Sequence, residues 1–175
     1  MVNYQLLRTP IQAIAVDDSA CDVNDLAVCG GVQVTVPGTE PWADFVRRAA
    51  DSDWTGIEAL AAFDGTVADA VRENFAAFGQ EVRDSLMSVR TWDLEKDAQR
   101  TFAWADARLG DGTSALQEEL DGGGLRYEIL DVHFLFRQGD LTRPVTDASL
   151  LELLGVEKRT RVPLGQVVDA VLAAR

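Results

Sequence analysis

The chain has 175 residues, 47% of them hydrophobic and 26% charged, which is enough for one domain with a sizeable core. Its 16 Lys and Arg stand against 29 Asp and Glu, a net charge of −13, so nucleic acid and an anionic membrane surface are both disfavoured as partners. The densest basic run, Lys158 to Arg161, is bracketed by acidic residues and reads as a solvated connector. No stretch approaches eighteen uninterrupted apolar residues, and no basic segment followed by an apolar run opens the chain, so a cytoplasmic location is expected. Cys21 and Cys29 lack a CxxC spacing or a nearby His, so reduced thiols and no bound metal are expected.

Ile11 to Val16 and Val32 to Val36 read as two strands joined by a polar loop. Thr39 is a candidate cap for a helix opened by Glu40 and Pro41. Its Trp42, Phe45, Val46 and Ala49 share one face at i, i+3, i+4 and i+7. From Asp53 to Gln80 no period persists, which predicts loop with short helices. Ser85 to Trp92 and Arg100 to Trp104 carry strand composition around a turn at Asp93 to Ala98. Strict alternation through Leu125 to Phe136 puts Leu130, Val132, Phe134 and Phe136 on one face. Tyr127, Ile129, Asp131, His133 and Leu135 then take the other, with both faces largely buried. Two helices close the chain, one over Asp147 to Leu154 stopped by Gly155 and one opened by Pro163. The second carries an apolar stripe of Leu164, Val167, Val168, Val171 and Leu172, which must pack on the same core or on a partner chain, so a homodimer is possible.

Trp54 to Val67, running on to Asn74 through Val82, resembles the flavin-contacting loop of the UDP-N-acetylenolpyruvoylglucosamine reductase family, MurB. A second block, Tyr127 to Leu141, continues through Pro144, Val145, Leu154 to Val156 and Val162 to Ala173. With Gly38 to Phe45 the resemblance covers roughly residues 10 to 175. It implies an α+β fold, a mostly antiparallel sheet flanked by helices, like the second subdomain of the MurB and vanillyl-alcohol-oxidase type of FAD-binding domain. The expected organisation is one such subdomain over 1–175, with a divergent strand and loop at 1–31 and the closing helices at 147–175.

The same resemblance exposes departures. The family binds the FAD pyrophosphate on a Gly-rich loop of its first subdomain, to which nothing here corresponds. The chain is expected to begin near the last strand of that subdomain and to stop before the family's C-terminal domain. The flavin-loop pattern Ser-Gly-Ile-Pro-Gly-x-Val-Gly-Ala, then Gln-Asn-Val-Gly-Ala-Tyr-Gly, becomes Ala61 to Ala68 and Glu73 to Gly79. Three glycines are alanines (Ala62, Ala68, Ala76), and Asp64 replaces the proline. The substrate-side Tyr-Arg-x-Ser becomes Asp111, Gly112, Thr113 and Ser114, and a second substrate tyrosine becomes Asp147.

These losses lead to the expectation of no cofactor and no reductase activity from this chain alone. The function expected instead is a cofactor-free, non-redox enzyme of cyclase or isomerase type in specialised metabolism, acting on an apolar small molecule. A non-catalytic binding or regulatory role and a residual FAD-binding oxidoreductase stand beside it. His133 with Asp131 two residues away on one strand face is a candidate acid-base pair, against the reading that His133 simply fills a half-buried strand position. Phe63, Phe75 and Phe78, with Trp54 and Trp104, are candidate walls of an apolar substrate pocket, against collapse of those rings into core.

Overall fold

The fold is taken from a computed structural model that describes residues 7–19 and 31–175. Cys21 and Cys29 lie outside the described residues. The sheet runs in the order β1 (Ala15–Asp17), β2 (Val32–Pro37), β8 (Tyr127–Gln138), β6 (Leu86–Asp93) and β7 (Ala98–Ala103), every neighbour antiparallel. A short β3 (Trp54–Thr55) pairs with the far end of β8, and β4 (Ala76–Ala77) and β5 (Gln80–Glu81) make a separate hairpin. Among the described residues they are accompanied by the helices α1 (Trp42–Asp51), α2 (Val67–Arg72), α3 (Ala148–Leu154) and α4 (Leu164–Ala173). None of the described helices is long and apolar enough to cross a membrane.

The strand β8 departs from strict alternation. Arg90 lies opposite Asp131 while Thr91 lies opposite Ile129, so Leu130 is an extra residue on β8 and the side-chain faces exchange across it. Tyr127 and Ile129 before the bulge therefore share the core face with Val132, Phe134 and Phe136 after it, which corrects the single unbroken alternation expected from the sequence. The carbonyl of Leu130 accepts from the Gly38 amide at 2.8 Å, so the bulge is tied to the end of β2.

On the core face, Phe134 and Phe136 stack at 5.5 Å, Phe45 of α1 lies 5.3 Å from Phe134, and Trp54 stacks on Phe136 at 6.0 Å. The indole of Trp42 donates to the Leu60 carbonyl at 2.8 Å, which pins the 57–61 turn to α1. The stripe Leu164, Val167, Val168 and Val171 is buried against α1 and that turn, so α4 spends its apolar face on this chain's own core. Arg47 reaches from α1 to Asp169 on α4 at 2.6 Å.

Element ends follow local chemistry. Asp147 caps α3 by accepting from the Leu150 amide at 2.9 Å, and Gly155 ends it at φ +65°. Thr66 and Asp69 form a reciprocal capping box on α2. Thr39 does not cap α1. The residue before that helix is Pro41, and the Trp42 amide donates instead to the Gly65 carbonyl at 2.9 Å, which fastens the flavin-like loop to the helix start. At the first strand pair, β1 is confined to Ala15–Asp17, because Ile11 is drawn off by donating its amide to Asp131 at 2.8 Å.

Gly38 makes the closest approach in this region, since a Cβ there would lie 2.7 Å from the Ile129 carbonyl oxygen and 3.3 Å from Ala68 Cβ. Backbone on one side and α2 on the other leave no room to yield. Gly38→Ala is expected to lower the stability by about 1–3 kcal/mol through forced separation of β2 from the bulge. Urea unfolding of the two proteins measures this, and an unchanged midpoint would show that the bulge is not held by that contact.

Candidate functional site

The 61–79 loop and the 109–117 segment are brought together by a buried asparagine. Asn74, 2% exposed and at φ +45°, donates through Nδ2 to the Gly110 carbonyl at 2.9 Å and to Glu81 Oε2 at 3.0 Å. Its Oδ1 accepts from the Arg83 amide at 3.0 Å. Ser114 adds a second tie, its hydroxyl donating to the Arg72 carbonyl at 2.6 Å. An asparagine tolerates the left-handed conformation and has enough donors and acceptors to join three segments at once.

Between those segments lies a cavity of about 430 Å³ whose wall includes Glu73, Phe75, Ala76, Asp111, Gly112 and Gln117. The Phe75 ring is half-buried and tilted against Phe63 at 4.8 Å. Gly65, at φ +155°, allows that packing, because a Cβ there would meet the Phe63 ring at 2.9 Å. Asp64 turns outward and pairs with Arg175 at 2.7 Å, away from the cavity. Of the three alanines in the loop, Ala68 packs towards Gly38, Ala62 lies half-buried against the core, and Ala76 is exposed on the cavity wall.

The five aromatic candidates are not one wall. Phe63 and Phe75 form a pair beside the cavity, and Phe78, at φ +51°, turns into a different cleft with Gly79 and Asp147. Trp54 is 6% exposed and belongs to the core stack with Phe136. Trp104 is 61% exposed beyond the end of β7 and lines none of these clefts.

His133 and Asp131 share the face of β8 turned away from α1, but they do not form a hydrogen-bonded pair. The Asp131 carboxylate is taken by Arg90 and by the Ile11 amide, while His133 Nδ1 lies 3.1 Å from the Thr35 hydroxyl on β2. Burial holds the imidazole below its ordinary pKa of 6.5, outweighing the attraction of Asp131, which Arg90 already compensates. No group of three His, Cys, Asp or Glu side chains among the described residues could hold a metal ion.

What the sequence reading missed is the joining role of Asn74. It sits inside the resemblance, yet its partners at Gly110, Glu81 and Arg83 lie 36, 7 and 9 residues away. A lone asparagine in an aperiodic stretch carries no signal of such contacts.

No protein-family model matches the chain. It is 39% identical over 151 residues to a UDP-N-acetylenolpyruvoylglucosamine reductase of Cutibacterium acnes, covering 86% of this chain and 39% of the relative. It is 33% identical over 167 residues to one of Thermobifida fusca, covering 95% and 44%. Among solved structures it resembles UDP-N-acetylenolpyruvylglucosamine reductase (MurB) from Thermus caldophilus, with a TM-score of 0.51, 22% identity, and coverage of 60% of this chain and 36% of that one; this likeness supports the fold. The chain thus spans about two fifths of the length of these curated relatives. The relatives are named as reductases, enzymes of a redox reaction, which overturns the expected non-redox cyclase or isomerase. The expectation of no cofactor falls with it, because the MurB resemblance carries FAD as the redox group.

Being the only histidine, His133 gives one titrating imidazole signal in proton NMR. The expected midpoint lies below 6.5, and one above it would mean that Asp131 governs the ring. A lowered folded pKa means that the unfolded chain takes the proton first. The contribution of His133 to stability is therefore complete above pH 6.5 and falls as pH drops through 6.5 towards the folded value. Asp131→Asn is expected to cost about 3 kcal/mol in chemical unfolding, because it strips a largely buried Arg90 of its counter-charge.

Proposed function

Over the segment it spans, the chain is a MurB-like family member, and on that premise we propose that it is the flavin-contacting unit of a reductase of this kind. In this reading the chain presents the 73–76 and 111–117 segments to the ring end of FAD. The observation that carries the reading is the Asn74 junction: it holds the flavin-like loop and the segment matching the family's substrate motif against one cavity.

The residues present fit a flat ring better than a diphosphate. Phe75 offers an aromatic face, Ala76 a methyl, and Gly112 a stretch of main chain with no side chain in the way; a Cβ there would meet nothing within 4 Å. Glu73 and Asp111 are both carboxylates, and no Lys or Arg lines this cavity, so a diphosphate gains nothing from it. The proposal therefore leaves the diphosphate to groups other than these. When bound, the flavin supplies hydride transfer. This chain's own part is to hold the ring face and keep water from it, with Asn74 maintaining the loop spacing.

With Gly112 at the position of the family's arginine and Asp111 at that of its tyrosine, the residues at this end offer no guanidinium to an enolpyruvyl carboxylate. The same reading therefore assigns flavin contact to the chain and not recognition of that substrate through this motif.

Titration of the purified chain with riboflavin and with FAD, following the visible flavin band, tests the proposal. Both are expected to bind weakly and with similar affinity, and Phe75→Ala to weaken both about tenfold through loss of one aromatic contact. FAD binding far more tightly than riboflavin would show that the chain grips the diphosphate. Failure of both to perturb the band would remove flavin contact altogether.

A further inference from the structure

The linear sequence offers no basic site, but folding builds one. The 142–145 segment runs antiparallel to 159–162, with Thr142 N donating to the Val162 carbonyl at 2.9 Å and Val145 N to the Thr160 carbonyl at 3.0 Å. Arg143 is thereby set beside the Lys158 to Arg161 run, and Arg161 Nε donates to the Thr142 carbonyl at 2.9 Å. Two adjoining clefts, of about 180 and 560 Å³, share Asp84, Ser85 and Arg143, and Arg137 lines the larger. None of their lining residues belongs to the Phe75 cavity.

Two features of this wall bear on what it can bind. Arg137 and Arg143 have no ion-pair partner among the described residues, in a chain where acids outnumber bases by 29 to 16. Ser85 is only 6% exposed, yet its hydroxyl has no hydrogen-bond partner among them either, although it borders both clefts. The hydroxyl is open to the clefts and free to bond a ligand oxygen there. Gly56 helps keep it reachable, since a Cβ there would sit 2.8 Å from Ser85 Oγ.

We infer that the wall formed by Ser85, Arg143 and Arg137 binds the oxyanion group of a small molecule, a phosphate or a carboxylate. A guanidinium presents paired N–H donors that match two oxygens of either group, and the serine hydroxyl supplies a third donor from the floor. Of the acidic groups nearby, Glu58 is engaged by the Gly56 amide and Gln80, and Asp147 caps α3. Asp84 accepts only from the Glu81 amide, so its charge opposes the ligand. That opposition, with the net charge of −13, weakens the binding of any anion here. The inference is independent of the flavin reading and survives its failure.

Calorimetric titration of the purified chain with inorganic phosphate and with malonate, at constant ionic strength, tests it. Saturable binding of at least one is expected, the tighter of the two identifying the oxyanion. Arg143 is exposed and makes no internal bond, so Arg143→Ala should fold and should weaken binding about tenfold, the loss of one charge-assisted contact. Ser85→Ala should weaken it less. Asp84→Asn, which keeps the acceptor and removes the charge, should tighten it about threefold. Arg48→Ala, which deletes an exposed arginine on α1, should leave it unchanged. No saturable binding of either anion overturns the site, as does an equal loss in the Arg143 and Arg48 variants.

Discussion

The extra residue at Leu130 is the constraint on which the architecture rests. β8 carries β2 along one edge and β6 along the other, so its side chains must serve the core over its full length. An unbroken strand would send Tyr127 and Ile129 to the side opposite Val132, Phe134 and Phe136. Inserting one residue puts all five on the face that meets the helices, and the tie from Gly38 to the Leu130 carbonyl fixes where the exchange occurs. The loop that resembles a flavin contact is hung from the same place, because α2 follows it and Ala68 packs towards Gly38. The bulge also decides the fate of Asp131 and His133. It leaves them on the opposite face, where Asp131 is consumed by Arg90 and by the Ile11 amide.

Element positions were largely legible in the sequence because they depend on local chemistry. Gly155 and Asp147 bound α3, Pro163 opens α4, and the 3.6-residue stripe on each long helix is the face that becomes buried. The bulge was not legible, because a run of apolar residues at every position from Ile129 to Val132 other than Asp131 satisfies either alternation equally well. Thr39 failed as a cap for a similar reason. The residue type suits the role, but a tertiary bond from Trp42 to Gly65 had already claimed the helix start.

The candidate site was legible in part, and the part that was not is electrostatic and long-range. Resemblance marked the loop from Trp54 to Val82, and the aromatic content of that loop suggested an apolar pocket. The structure gathers only Phe63 and Phe75 there and lines the rest with Glu73, Asp111 and Gln117, a polar and anionic surround. Two of the rings were claimed elsewhere: Trp54 stacks against Phe136 because β3 must pair with the end of β8, and Phe78 is swung into the opposite cleft by its left-handed backbone. Composition cannot report such a partition, since it depends on which segments meet.

Charge divides the two cavities in opposite senses. The loop that turns Asp64 away to Arg175 leaves Glu73 at the Phe75 cavity and the 109–117 segment adds Asp111, so an approaching diphosphate meets carboxylates there. On the other side, Arg137 of β8 and Arg143 of the 142–145 segment line the adjoining clefts, and the pairing of 142–145 with 159–162 holds Arg161 alongside. A net charge of −13 disfavours anions everywhere at long range, but screening over roughly 8 Å at physiological salt lets a local cluster decide what binds at contact. A chain this acidic can therefore hold an aromatic ring at one cavity and an oxyanion at another. Which ligand each takes follows from the few side chains within contact distance, not from the sign of the whole.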